Sequence, residues 1–341
     1  MRTIFRLLIL IAIIFGGIGI SIGLFYLIGF STYGEIEESF SFYYTPENRT
    51  EPEKIRISTD ARTINIRYNT SSMPYSIKAD AILKVEGMYM RDSDYGYFHT
   101  EGHYYPSEGF TQLVVYSAGR TLGGFYHPTW TAKYDININI TLRTDILYDL
   151  HIRAYNTKIS ISENLSINTL SLETGISNIE LNANATSINI IEAIAYGGSL
   201  TLNLTNCNIS DSIYINSTMA DINFTSYNTK CNKNVEWALR SEAGSINANV
   251  YQSEDLGANI SGVLFTSTGN INIEYTDSLP TVGAFFNASS FTGSFVTTNL
   301  GGFEALGNNL FRTVDYPSAT NIYTFSLNNI NGYIKVSGQS N

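Results

Sequence analysis

Short apolar–polar–apolar triplets recur along the chain at a slowly widening interval. They are Ile159/Ile161, Ile179/Leu181, Leu200/Leu202, Ile222/Phe224, Ile246/Ala248, Ile271/Ile273 and Phe295/Thr297. Their first positions lie 20, 21, 22, 24, 25 and 24 residues apart. A small residue stands two places before most of them: Gly198, Ala220, Gly244, Gly269 and Gly293, with Gly332 before Ile334/Val336. A second apolar pair precedes most of these turns: Leu170/Leu172, Ile213/Ile215, Trp237/Leu239, Val263/Phe265 and Phe325/Leu327. Each unit reads strand, small-residue turn, strand, loop. Period-2 alternation gives a strand one apolar face. Two strands cannot bury that face alone, but stacked copies merge their faces into a continuous core. The predicted class is therefore all-β: a right-handed-type β-solenoid of two-strand rungs, each about 20–25 residues. The competing architecture is a β-sandwich with strands every ~8–12 residues. The L-x-x-L-x-L-x-x-N signature of leucine-rich repeats is absent.

Ile64/Ile66 match the triplet as an earlier copy, and the regular part resumes at Tyr134–Leu142. Between them, residues 71–132 are rich in Tyr and Gly and read as an insertion or a cap. The predicted organisation is a cytoplasmic N-terminus and transmembrane anchor over 1–30 and a stalk over 31–50. Residues 51–140 hold the first strands with the Tyr/Gly-rich segment, and the repeats run over 141–341. The anchor rests on Leu7–Phe30, 24 residues without a charge. About 20 cross a bilayer as a helix. Arg2 and Arg6 precede the run and Glu35, Glu37 and Glu38 follow it, which predicts a single pass with the N-terminus cytoplasmic and the bulk of the chain extracytoplasmic. A cleaved signal peptide is the other reading; its apolar region is usually ~7–15 residues with a small-x-small site. Gly19 and Gly23 form G-x-x-x-G, a helix-pairing pattern that would make a homo-oligomer.

The 341 residues carry a formal net charge of −10, yet only 15% are charged and 13% are aromatic. Neutral polar side chains and Tyr must therefore cover the wet faces of the strands. No Lys/Arg cluster occurs, which argues against nucleic acid as partner. The two cysteines, Cys207 and Cys231, are 24 residues apart, about one rung. Outside the cytoplasm they could form a disulfide, which in the chain-entropy account stabilises by ~3 kcal/mol. Two free buried thiols are the alternative.

The segment TLRTDILYDLHIRAYNTKISIS, the repeated L-x-L…(S/T)-x-G-x-I-x-I and the closing YTFSLNNINGYIKVSG resemble the putative-adhesin β-solenoid domains, a family of unknown function. The resemblance covers roughly Thr141–Gly338 and, more weakly, Ile57–Tyr68, and implies a solenoid hung from a membrane helix. It supplies no catalytic residues. The family's Asp after the turn glycine is matched by Asp221, while Ser199, Ser245, Asn270 and Tyr333 depart from it.

Candidate chemistry is sparse. His99, Glu101 and His103 would share one face of a strand, and such N/O ligands suit zinc. Two surface histidines among tyrosines is the plain alternative; His127 is a third histidine nearby. Tyr104, Tyr105 and Trp130 make a candidate recognition surface, since Tyr and Trp favour interfaces, or they pack as a cap over the first rung. A polysaccharide-active enzyme would need paired carboxylates, and those of the repeats are scattered. G-x-S-x-G is absent. N-x-S/T glycosylation candidates stand at Asn48, Asn69, Asn139, Asn164, Asn184, Asn203, Asn208, Asn216, Asn223, Asn259 and Asn287. Asn206, Asn208 and other turn residues could instead stack as amide ladders. The expectation is a non-enzymatic, membrane-anchored cell-surface or envelope protein without a cofactor. Its partners would be the bilayer through Leu7–Phe30 and envelope glycans or surface proteins. A β-helix enzyme and a surface metal binder or sensor are the alternatives.

Overall fold

The computed structural model describes residues 15, 18–20, 23–24, 33–45, 52–69, 74–87, 97–117, 132–292, 294–307 and 309–340. The N-terminal strands are β1 (Gly34–Tyr44), β2 (Glu53–Thr59), β3 (Thr63–Asn69), β4 (Ile77–Gly87), β5 (Phe98–Tyr105), β6 (Phe110–Ser117) and β7 (Lys133–Arg143). A regular series follows: β8 (Tyr148–Ala154), β9 (Thr157–Ile161), β10 (Ser166–Ile176), β11 (Ile179–Asn184), β12 (Ser187–Gly197), β13 (Ser199–Thr205), β14 (Asn208–Ser217) and β15 (Asp221–Tyr227). It continues through β16 (Lys230–Cys231), β17 (Val235–Ser241), β18 (Ile246–Gln252), β19 (Ile260–Thr268) and β20 (Ile271–Asp277). The last strands are β21 (Val282–Ser290), β22 (Ser294–Gly301), β23 (Phe303–Gly307), β24 (Leu310–Thr313), β25 (Asn321–Asn331) and β26 (Tyr333–Gln339).

They form two sheets. One runs β1-β4-β7-β3-β9-β11-β13-β15-β18-β20-β26-β22; the other runs β23-β24-β21-β25-β19-β17-β14-β12-β10-β8-β2-β6-β5, with β16 on β14. From β8 to β20 the full strands alternate between the sheets, and neighbours within a sheet are parallel. The predicted unit, two strands joined by a small-residue turn, is thus present, and each unit lies on the one before.

Register follows the apolar triplets. Ile179, Leu200, Ile222, Ile246 and Ile271 pair in succession. In the other sheet Leu150, Leu170, Ile191, Ile213 and Trp237 do the same. All of these are buried between the sheets. The alternation fixes this, because a one-residue slip would turn each apolar set to solvent.

Two alignments differ from the sequence reading. Ile159 pairs with Leu181, so that Thr157 stands at the level of Ile179. At the far end β20 pairs with β26, and Phe295 of β22 pairs with Ile334 on the outer side of β26. The last rung is thus seated between two earlier ones. Loop-closure entropy rises slowly with loop length, so such a return is tolerated.

The turn residues answer to stacking as much as to bending. Gly198 has φ +85°, and a Cβ there would lie 2.5 Å from the Ser177 carbonyl oxygen of the preceding rung. Gly244, Gly269 and Gly332 crowd the preceding turn's carbonyl in the same way.

Residues 34–44, expected within a stalk, are instead an edge strand. β1 pairs antiparallel with β4 along its whole length, from Gly34↔Gly87 to Tyr44↔Ile77. Ile36, Phe40, Phe42 and Tyr44 alternate with exposed residues, which is what a strand with one covered face requires. Of the expected anchor, residues 15, 18–20 and 23–24 are helical and exposed, and the rest lies outside the described residues. Among the described residues no helix is long and apolar enough to cross a membrane.

Candidate recognition surface

At the N-terminal end of the second sheet, β5, β6, β2, β8 and β10 lie side by side. Their registers align three outward rows. One is Tyr105, Phe110, Lys54, Asp149 and Thr169; the next is His103, Gln112, Arg56, His151 and Ser171; the third is Glu101, Val114, Ser58, Arg153 and Glu173. Alternation places these on the outer face because Ile55, Ile57, Leu150 and Ile152 take the inner one.

Tyr105 stacks on Phe110 with ring centroids 5.0 Å apart and planes at 26°. The Arg56 guanidinium carbon stands 3.8 Å from the Phe110 centroid. Guanidinium is weakly hydrated and planar, so stacking holds it flat and leaves its N–H fork available. The Tyr105 hydroxyl donates to Glu101 Oε1 at 3.2 Å, and the His103 ring meets Tyr105 edge-on at 4.8 Å.

Next to this stack, His151 Nδ1 lies 3.0 Å from Ser171 Oγ. Glu173 lies between His151 (3.8 Å to Nε2) and Arg153 (3.7 Å to Nε). Burial pushes the His151 imidazole below its ordinary range; Glu173 opposes this, and Arg56 and Arg153 add to it. Asn168 donates to Asp149 Oδ1 at 2.8 Å. Between Lys54, Arg56, Asp149, His151, Thr169 and Ser171 runs an open cleft of about 200 Å³.

The cations of this cleft differ from most others. Lys78, Lys84, Lys133, Arg143, Lys158, Lys230, Lys233 and Arg312 each sit within 3 Å of an acid. Among the described residues Lys54 and Arg56, both exposed, have no acid within 4.0 Å, a property they share with Arg62, Arg67, Arg240 and Lys335 but with no other cation of the cleft.

His99, Glu101 and His103 do share one face of β5. They do not converge: at ~3.3 Å per residue, His99 and His103 stand ~13 Å apart. Among the described residues no group of three or more His, Cys, Asp and Glu could hold a metal ion. The zinc candidate is corrected on that geometry.

Tyr104 points the other way from Tyr105 and stacks on Tyr44 at 4.5 Å, so it closes the end of the two-sheet core. Trp130 and His127 lie outside the described residues. The expected Cys207–Cys231 bridge is not formed; both thiols are free and buried. The rung is 22 residues long here, so Cys231 stands beside Ile209 and not beside Cys207. Burial pushes both thiols up, Cys231 to about 12.

Of the glycosylation candidates, Asn48 lies outside the described residues. Asn69, Asn164, Asn184, Asn216 and Asn287 are exposed. Asn139, Asn203, Asn208, Asn223 and Asn259 are half-buried. The amide ladders exist, but on strands: Asn203 donates to Asn182 at 2.9 Å, Asn247 to Asn223 at 2.9 Å and Asn272 to Asn247 at 2.8 Å. Asn206 is instead a corner residue with φ 52°, a conformation Asn tolerates better than most residues.

Sequence reasoning missed Lys54, Arg56, His151, Arg153 and Glu173. A signal was present: K-I-R-I and D-L-H-I-R-A put their charges at the outward, period-2 positions of two strands. Only the pairing of those strands brings them together.

No protein-family model matches the chain, and no curated protein matches it. Several solved structures resemble it. A putative cell adhesion protein from Clostridium sporogenes shares 13% identity over 89% of this chain and 100% of its own, with TM-score 0.29. A putative adhesin from Bacteroides fragilis shares 13% over 88% and 97%, with TM-score 0.35. A putative lipid binding protein from Parabacteroides distasonis shares 13% over 88% and 96%, with TM-score 0.36. At these values none of them assigns a role to a residue of this chain.

Proposed function

We propose that this chain is a non-enzymatic, adhesin-like surface protein: a β-solenoid, anchored through Leu7–Phe30 with its N-terminus cytoplasmic, that presents a recognition face. The observation that carries the reading is the Tyr105–Phe110–Arg56 stack on the open outer face of the second sheet. Arg56 and Tyr105 offer the contact area, and Phe110, buried beneath them, fixes them on a rigid sheet at small entropic cost. An open face that runs across several strands suits an extended partner better than a small enclosed substrate. Its carboxylates are engaged within the face, Glu173 beside Arg153 and His151 and Asp149 by Asn168, which suits binding better than acid–base work.

The test uses the full chain in lipid nanodiscs against arrayed envelope polysaccharides. Binding should fall about tenfold or more in Arg56→Ala, the loss of a charge-assisted contact, and clearly in Tyr105→Ala. Release of shortened saccharide in excess of protein would overturn the reading, as would wild-type binding by both variants.

A further inference from the structure

Resting on that reading, we infer that the cleft between Lys54, Arg56, His151 and Ser171 receives the carboxylate of an acidic sugar, so that the ligand is a uronate-bearing polysaccharide rather than a neutral or densely sulfated one. Two features point to an anion. The chain is acidic, with 30 Asp and Glu against 20 Lys and Arg, and its cations are mostly paired. Lys54 and Arg56 stand two residues apart on the outer face of one strand, exposed and with no acid within 4.0 Å. Arg56 is also held in place before any ligand arrives, by its seat on Phe110 at 3.8 Å. A preorganised fork binds a carboxylate through two parallel N–H donors.

The surroundings limit how much negative charge the site accepts. Across the three outward rows Lys54, Arg56 and Arg153 are balanced by Glu101, Asp149 and Glu173, so that, the histidines aside, the face carries no net charge. Asp149 faces Lys54 across the strand pair, and Glu173 flanks the opposite row. A second anionic group close to the first would meet one of these carboxylates. A single carboxylate per sugar fits, and clustered sulfates or phosphates do not. The rest of the cleft offers hydroxyl chemistry: Thr169 and Ser171 hydroxyls and the His151 ring, 3.0 Å from Ser171 Oγ. These are the partners a ring rich in hydroxyls needs.

The experiment measures binding of the full chain in nanodiscs to polygalacturonate, to its methyl-esterified form and to dextran sulfate, at about 150 mM salt, where exposed charges more than ~8 Å apart are screened. Polygalacturonate should bind about tenfold or more above the ester. Arg56→Ala should remove that preference, Arg56→Lys should restore part of it because the point charge returns without the fork, and Asp149→Asn should strengthen binding. Arg56 and Asp149 are surface residues, and unchanged melting temperatures would show that the variants fold. Equal binding of the acid and its ester, or tighter binding of dextran sulfate, would overturn the acidic-sugar inference and leave the recognition face standing. Absence of binding to every saccharide would overturn both.

Discussion

The regular stack from Tyr148 to Asp277 and the N-terminal end from Gly34 to Arg143 differ in how often the chain meets a copy of itself. In the stack, parallel neighbours bring the same position of successive units together. Asn meets Asn in the 223–247–272 ladder, and Tyr227 lies flat on Tyr251, 4.7 Å away at 8°. At the N-terminal end the antiparallel strands β1, β4 and β5 bring unlike residues together. Phe42 fills the space over Gly102, Ser41 donates to Asp80, and Lys84 pairs with Glu35. Repetition pairs several polar groups with their own kind. Where the repetition breaks, groups of different chemistry meet, and, among the described residues, four cations, Lys54, Arg56, Arg62 and Arg67, have no acid within 4.0 Å. The recognition face lies where the two regions meet, on β5, β6 and β2 of the end and on β8 and β10 of the stack.

The sharpest way to break this comparison is through the two cores. Trp237 is 1% exposed and meets Phe224 edge-on at 5.1 Å and Tyr323 at 5.8 Å. The paired Gly262 of the next rung leaves room for Phe325. Trp237→Ala should cost about 3–5 kcal/mol of global stability, read as a shifted urea midpoint. Tyr104→Ala should cost less and open only the end, seen as faster amide exchange in β1 and β5 with the midpoint nearly kept. Equal global losses would mean that end and stack are one cooperative unit.

The turn glycines sharpen the same contrast at smaller scale. Gly198 has both a positive φ and a carbonyl in the place of its Cβ, so Gly198→Ala should cost about 2–3 kcal/mol. Gly109, in the β5–β6 hairpin, has φ +67° but open space around it, and Gly109→Ala should cost only ~1 kcal/mol. Melting curves of the two variants separate stacking from backbone strain. Asn247→Ala comes next, at ~1 kcal/mol, because water can reach the half-buried amides it leaves behind.

Much of the stack was legible because a parallel repeat writes its register into the sequence: Ile222, Ile246 and Ile271 each follow a small turn residue by two places and do pair. The eye fails where the rung length changes locally. Thr157 takes the place expected for Ile159, and a 22-residue rung separates Cys207 from Cys231. The site was less legible. Arg56 and His151 are neighbours only because β2 joins β8 across the whole of β3–β7, and no local pattern encodes that pairing. The aromatic segment pointed to the right end of the molecule, yet Tyr104 and Tyr105 were indistinguishable until the strand's two faces were assigned.

The smallest expected effect is a pH dependence at the seam between the two regions, where His151 of β8 faces Arg56 of β2. The imidazole of His151 is held below its ordinary 6.5, chiefly by burial, with Glu173 of β10 opposing and Arg56 of β2 and Arg153 of β8 assisting. The unfolded chain therefore binds this proton more readily than the folded one. The stability due to neutral His151 is complete above about pH 6.5 and declines as pH falls from there through the folded-state value. Glu53, raised above 4.5 by burial with the Thr111 hydroxyl opposing, acts with the opposite sign. Its contribution is present at and below pH 4.5 and is lost as pH rises through its folded-state value. Chemical denaturation of wild type and His151→Gln from pH 7.5 to 5 isolates the first effect, since Glu53 is common to both. Wild type should lose more stability than the variant toward pH 5. An acidic polysaccharide should bind wild type more tightly over the same interval, because protonated His151 adds a positive charge to the cleft. Parallel stability curves would mean that neither the burial of His151 nor its charged neighbours Glu173, Arg56 and Arg153 act on its proton.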